Sequence, residues 1–265
     1  MSKPLCYRWR LCLIALLCSL WIAPALAQSR GIVTVAAASD LKFAMDELML
    51  RYAQVTGERV RAVYGSSGHF FTQIVQGAPF DLFMSADEAF IDQLALQQKV
   101  QDRGALYAVG RIVLFTPHGS PVRADAGLGD LRRALADGRL RKLALANPEH
   151  APYGRAAREA LTNAGLWDAA QPHLVLGENV SQAAQFAASG SAQAGIFAFS
   201  LALAPQLAAA GSYVLIPESQ HQPLRQRMAL TQRGGSDARA FYDWLQQPDA
   251  RTIFRRHGFT VPGER

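Results

Sequence analysis

The chain has 265 residues, half of them apolar and 18% charged, with a formal net charge of +6. Lys3, Arg8 and Arg10 precede an apolar run over 11–22, and Ala25-Leu26-Ala27 supplies a small-x-small cleavage pattern, so residues 1–27 read as an export signal. That run is shorter than the roughly 20 residues a membrane-spanning helix needs. Removing it leaves a net charge of about +3, which gives no reason to expect nucleic-acid binding. Cys6, Cys12 and Cys18 leave with it, which excludes disulfides, thiol nucleophiles and cysteine metal sites in the remainder.

From residue 31 onward, short apolar runs alternate with amphipathic stretches, the pattern of mostly parallel sheets flanked by helices. Residues 31–38 (GIVTVAAA) read as a buried first strand. Leu41, Ala44, Met45, Leu48, Met49, Tyr52 and Val55 then recur at helical spacing, closed by Gly57. Strands follow at 59–64 and 80–84, with a short helix at 70–76 between them. Asp87 is an N-cap for the helix carrying Phe90, Ile91 and Leu94. A strand at 111–116 precedes a second round of the same grammar. It contains strands at 143–146, 173–176, 194–199, 213–216 and 227–230, and helices at 154–164 and 181–188. Two helices, 237–246 and 249–257, end the chain, separated by Pro248. They have no sheet of their own, so they are expected to return over the first one.

Four strand-to-helix junctions carry small or polar residues: Ser39-Asp40, Gly65-Ser66-Ser67-Gly68, Ala151-Pro152-Tyr153-Gly154 and Glu178-Asn179-Val180-Ser181. A helix's first turn has amides without intrahelical partners and a partial positive charge, so several such ends converging make an anion site. In open α/β sheets these junctions border the crevice. Each junction also has a structural explanation, since serine and aspartate are ordinary N-caps. The six histidines lack zinc-site spacing, and no phosphate-binding loop, dinucleotide fingerprint or nucleophile elbow is present in the sequence. Ser67 and His69 are close in sequence, which keeps an exported hydrolase open as an alternative without supplying a triad.

In order along the chain stand Val33-Thr-Val-Ala-Ala-Ala-Ser-Asp40, Gly65-Ser-Ser-Gly68, Gly77-Ala-Pro-Phe-Asp-Leu-Phe-Met-Ser-Ala-Asp87, Asn147-Pro-Glu-His-Ala-Pro-Tyr-Gly154, Gly195-Ile-Phe197 and Phe254-Arg-Arg-His-Gly-Phe259. Together they resemble the periplasmic molybdate-binding proteins of ABC transporters over essentially the whole exported chain. The resemblance implies an α/β fold of the two-lobed type II periplasmic binding kind. One lobe would comprise residues 28–110 plus 226–265 and the other 111–225, with hinges near 110–116 and 226–230. It implies a monomeric, non-enzymatic, cofactor-free periplasmic protein that captures molybdate or tungstate and delivers it to an ABC permease in the inner membrane. Ser39, Ser67, Tyr153 and Val180 match the family's ligand positions. Asp40 contributes its amide, with its carboxylate turned away from the anion. Some relatives place a tyrosine at the position of Ala198; here Tyr153 takes that role, and its hydroxyl is expected to reach the ligand. Sulfate is the alternative ligand, because it too is a proton-free dianion.

Overall fold

The computed structural model describes residues 31–263; the segment read as an export signal, 1–27, lies outside the described residues. Strand β1 (Val33–Ala38) is buried at every position and pairs in parallel with β2 (Val60–Gly65) and β3 (Leu82–Ser85). A strand covered on both faces has no polar side, hence the unbroken VTVAAA run. A 3-10 turn, Ser39–Leu41, leads from β1 into helix α1 (Lys42–Thr56), which Gly57 ends at φ 76° by donating its amide to the Ala53 carbonyl. Helix α2 (Ser67–Val75) follows β2, and α3 (Glu88–Leu96) follows β3 with the Asp87 carboxylate accepting the Ala89 amide at 2.9 Å. Strand β4 is Ala105–Gly110.

The chain crosses to a second sheet at Arg111. It builds β5 (Ile112–Pro117), α4 (Gly129–Ala136), β6 (Leu143–Ala146), α5 (Pro152–Asn163), α6 (Trp167–Ala170) and β7 (Leu174–Gly177). Helix α7 (Val180–Ala188), β8 (Ala194–Ala198), α8 (Phe199–Ala202), α9 (Pro205–Ala208) and β9 (Gly211–Leu215) complete this half. It returns through 216–223 to β10 (Leu224–Leu230), then α10 (Ser236–Trp244) and α11 (Pro248–Arg256). The sheet orders are β2-β1-β3-β10-β4 and β7-β6-β8-β5-β9. In each, four strands run one way and the strand entered after a crossing, β10 or β5, runs against them. The C-terminal helices do return to the first sheet: Phe241, Ile253 and Phe254 share a core with Met45, Leu48 and Tyr52.

The hinge expected at 226–230 falls inside β10, where Arg225 is exposed, Arg227 partly buried and the other residues buried. The crossings are Arg111 and 216–223, and the Arg111 guanidinium pairs with Glu218 at 2.9 Å, tying one to the other. Helix α4 also escaped the sequence reading. It begins after Leu128 at φ 56°, with Asp125 accepting the amides of Gly129 and Asp130, both at 2.8 Å.

Candidate functional site

Between the two sheets lies a void of about 190 Å³ lined by Ala38, Ser39, Asp40, Gly65, Ser66, Ser67, Ala86, Ala151, Pro152, Tyr153 and Val180. A water-sized sphere can occupy only about 10 Å³ of it, room for about one water, so the two halves stand close around the space. The lining residues follow the carboxyl ends of β1, β2, β3, β6 and β7, where open α/β sheets place their ligands. All five residues singled out from the sequence are therefore brought to one place. None of the lining residues is a lysine, arginine or histidine. A larger hollow of about 780 Å³, bordered by Glu47, Arg51, Asp249 and Arg256, is an open groove whose charges are already paired.

The helices are placed to aim their amides inward. Ser67 is the first residue of α2, Tyr153 the second of α5 behind Pro152, and Val180 the first of α7. Each thus sits in a first turn, where the amide lacks an intrahelical acceptor. Proline at the start of α5 fits because its missing N–H was never needed there. The α7 start is fixed by Asn179, whose side chain accepts the Gln182 amide at 3.1 Å, and by Gln182, which accepts the Glu178 amide at 2.7 Å.

The two serines are arranged alike. Ser39 Oγ accepts the Ser181 amide at 3.3 Å, and Ser67 Oγ accepts the Ala86 amide at 2.9 Å. Among the described residues neither hydroxyl proton has an acceptor, so both can donate into the void. The first contact also crosses between the sheets, as do several others. Ser181 Oγ donates to the Ser39 carbonyl and Ser200 Oγ to the Asp40 carbonyl, each at 2.8 Å. The Gly68 amide donates to the His150 carbonyl at 3.0 Å, and Arg155 pairs with Asp87 at 2.9 Å. Gly68 permits this approach, since a Cβ there would stand 2.5 Å from the His150 oxygen.

Asp40 and Tyr153 meet in one buried hydrogen-bonded cluster. The Tyr153 hydroxyl, expected to reach a ligand, donates in this structure to Asp40 Oδ2 at 3.0 Å. Gln226 Nε2 donates both to that same oxygen, at 2.7 Å, and to the Tyr153 hydroxyl, at 2.9 Å. Gln226 Oε1 accepts from the Tyr107 hydroxyl at 2.8 Å. The Asp40 carboxyl engages this cluster, yet Asp40 remains in the wall of the void rather than leaving it. Burial pushes its carboxyl up to about 6, against the hydrogen bonds from Gln226 and Tyr153 that pull it down. Burial also holds the Tyr153 and Tyr107 hydroxyls well above their ordinary value, helped by the adjacent Asp40.

Gln226 is the residue that sequence reasoning missed. It is fully buried in β10 at a β-bulge, where the pairing register shifts between Gln226 and Arg227. Bulges re-aim side chains beside functional sites. Its only sequence signal is a glutamine between two arginines in an otherwise apolar strand. His69, His150 and Glu178 also meet, at the edge of the site, with ligating atoms within 4.8 Å of one another. The two rings are stacked with centroids 3.9 Å apart. His69 makes no hydrogen bond to Ser67 among the described residues, whereas His150 Nδ1 lies 3.0 Å from Ser66 Oγ.

Two α/β lobes closed on a cation-free pocket of serine hydroxyls and helix amides define a solute-binding protein of the two-lobed class. The chain belongs to the bacterial extracellular solute-binding protein family, whose pattern matches residues 33–260. It is 34% identical over 241 residues to the molybdate-binding protein ModA of Rhodobacter capsulatus, covering 89% of this chain and 91% of that one. It is 32% identical over 230 residues to the molybdate-binding protein ModA of Azotobacter vinelandii, covering 86% and 89%. The solved structure of the Azotobacter vinelandii periplasmic molybdate-binding protein superposes with a TM-score of 0.77 at 31% identity, over 87% of this chain and 99% of that one.

Proposed function

We propose that this protein captures molybdate, and tungstate alongside it, in the periplasm and delivers the oxyanion to an ABC permease at the inner membrane. The observation that carries the reading is the set of uncharged donors around one cation-free void: the Ser39 and Ser67 hydroxyls and the first-turn amides of Tyr153 and Val180. The amide of Asp40 is a further contributor. The contacts are hydrogen bonds to oxo atoms, and no side chain is a ligand of the metal itself. Hydrogen bonds to a charged group contribute roughly 1.5–3 kcal/mol each. Five of them give roughly 7.5–15 kcal/mol gross, a range whose upper part exceeds the roughly 8 kcal/mol of micromolar affinity after desolvation and closure are subtracted. A shell of donors also rejects protonated anions, because a ligand O–H would meet another donor.

Residues 28–110 with 226–265 form one lobe and 111–225 the other in this reading, closing as a monomer about the paired crossings at Arg111 and 216–223. Ligand contacts from both lobes favour the closed form and present a composite surface to the permease. Calorimetry with molybdate, tungstate and sulfate tests it. Micromolar or tighter binding of the first two with weak sulfate binding is the expected result; tighter sulfate binding would move the protein to sulfate capture.

A further inference from the structure

We propose that Asp40 enters the closed site as a neutral carboxylic acid, so that capture of an oxyanion dianion draws one proton from solvent. The inference rests on the oxyanion reading above and adds a stoichiometry to it. Asp40 is 1% exposed, lines the void and belongs to no ion pair among the described residues. The groups that face it are Tyr153 from α5, Gln226 from β10 with Tyr107 of β4 behind it, and Ser200 from α8. None of them can carry a positive charge.

The two carboxyl oxygens are treated differently. Oδ2 receives both donors, from Tyr153 and Gln226, while Oδ1 is buried without a hydrogen-bond partner. That division suits an acid whose carbonyl oxygen is Oδ2 and whose proton is on Oδ1. A buried carboxylate with a bare oxygen beside an incoming dianion is the least favourable arrangement the pocket offers, because like charges at close range repel strongly in a low-dielectric site. A proton on Oδ1 removes the repulsion and turns the bare atom into a donor, for which an oxo atom of the anion is the acceptor the inference supplies. Burial already raises this carboxyl, and a dianion alongside acts in the same direction.

The test is calorimetry of the exported protein with sodium molybdate at pH 7.5, in a series of buffers of different ionisation enthalpy. The slope of observed heat against buffer ionisation enthalpy counts the protons taken up. Uptake approaching one per molybdate is expected, with the dissociation constant rising up to tenfold per pH unit above about pH 6. Asp40→Asn, which cannot titrate, should abolish the uptake and flatten the pH response. It should also tighten binding at pH 8 by tenfold or more. Heats independent of buffer would overturn the proposal on the unaltered protein alone, whether or not the variant folds. Uptake persisting in Asp40→Asn would assign the proton elsewhere, to the His69–His150 pair, and overturn it too. Absence of binding to molybdate, tungstate and sulfate alike would remove the oxyanion reading itself, whereas binding without proton uptake would remove only this inference.

Discussion

Two walls of the same void are built on opposite principles. On one, Ser39 and Ser67 use their oxygens to accept amides and so keep their protons for whatever enters. On the other, Asp40, Tyr153 and Gln226 direct every assigned donor at one another. The first wall can hold an anion with no charge of its own. The second carries the only titratable carboxyl lining the void and cross-links the lobes behind it. The contrast implies that affinity resides mainly in the serine wall, while closure and pH response reside in the aspartate wall.

The largest expected effect comes from making the serine wall resemble the other. Ser39→Asp puts a carboxylate where a hydroxyl donates. Like-charge juxtaposition costs several kcal/mol, so oxyanion binding should fall by about a thousandfold or more at neutral pH. The melting temperature should change little in comparison. Calorimetry and thermal denaturation of the one variant report both numbers, and retained micromolar affinity would mean the serine wall is not where the anion sits.

Next in size is the pH dependence of stability. Folding raises the Asp40 carboxyl from an ordinary 3.8 to about 6, so the folded chain holds this proton more tightly than the unfolded chain does. The associated stability is fully present below about pH 4 and is lost as pH rises through 6, a difference on the order of 3 kcal/mol. Asp40→Asn should therefore gain on the unaltered protein between pH 4 and 7 and then run parallel to it. Urea denaturation of both proteins across that range measures the difference directly, which cancels the opposite contribution of Glu88, lowered by Arg225 and Arg227 despite its burial. Ser67→Ala should weaken binding by about 2 kcal/mol, one charged hydrogen bond. It also leaves the buried Ala86 amide without its 2.9 Å acceptor, so a smaller loss of stability accompanies it.

Much of this geometry was legible in the sequence, but the starts of the site helices were not. Apolar periodicity placed them at 70, 154 and 181, whereas they begin at Ser67, Pro152 and Val180. The first turn of each faces the void and so carries small or polar residues, or proline, which contribute nothing to a 3.6-residue pattern. The residues that matter most are those that periodicity cannot see. Strand β4 was missed because its ALYAVG run abuts that of β5, and only Arg111 separates strands belonging to different sheets. The aspartate wall was out of reach for another reason. Residues 40, 153 and 226 come from three distant segments, and glutamine between arginines reads as a solvated edge until the bulge at Gln226 turns it inward.

Tyr153→Phe separates the two walls with the smallest change, one oxygen atom. If the hydroxyl belongs to the aspartate wall, its loss removes a hydrogen bond to Asp40 and an acceptor for Gln226, costing about 1–2 kcal/mol of folding stability. Affinity should then fall only a few-fold, through weaker closure. Asp40 would also lose a bond that favours its charged form, so its carboxyl should rise further and the pH dependence of binding should shift upward. If the hydroxyl instead swings to the ligand, affinity should drop by roughly 1.5–3 kcal/mol at every pH while Asp40 titrates as before. Gly110 argues for the first outcome: a Cβ there would stand 2.1 Å from the Tyr153 hydroxyl, so the glycine is the recess that seats this oxygen against Gln226, behind the void.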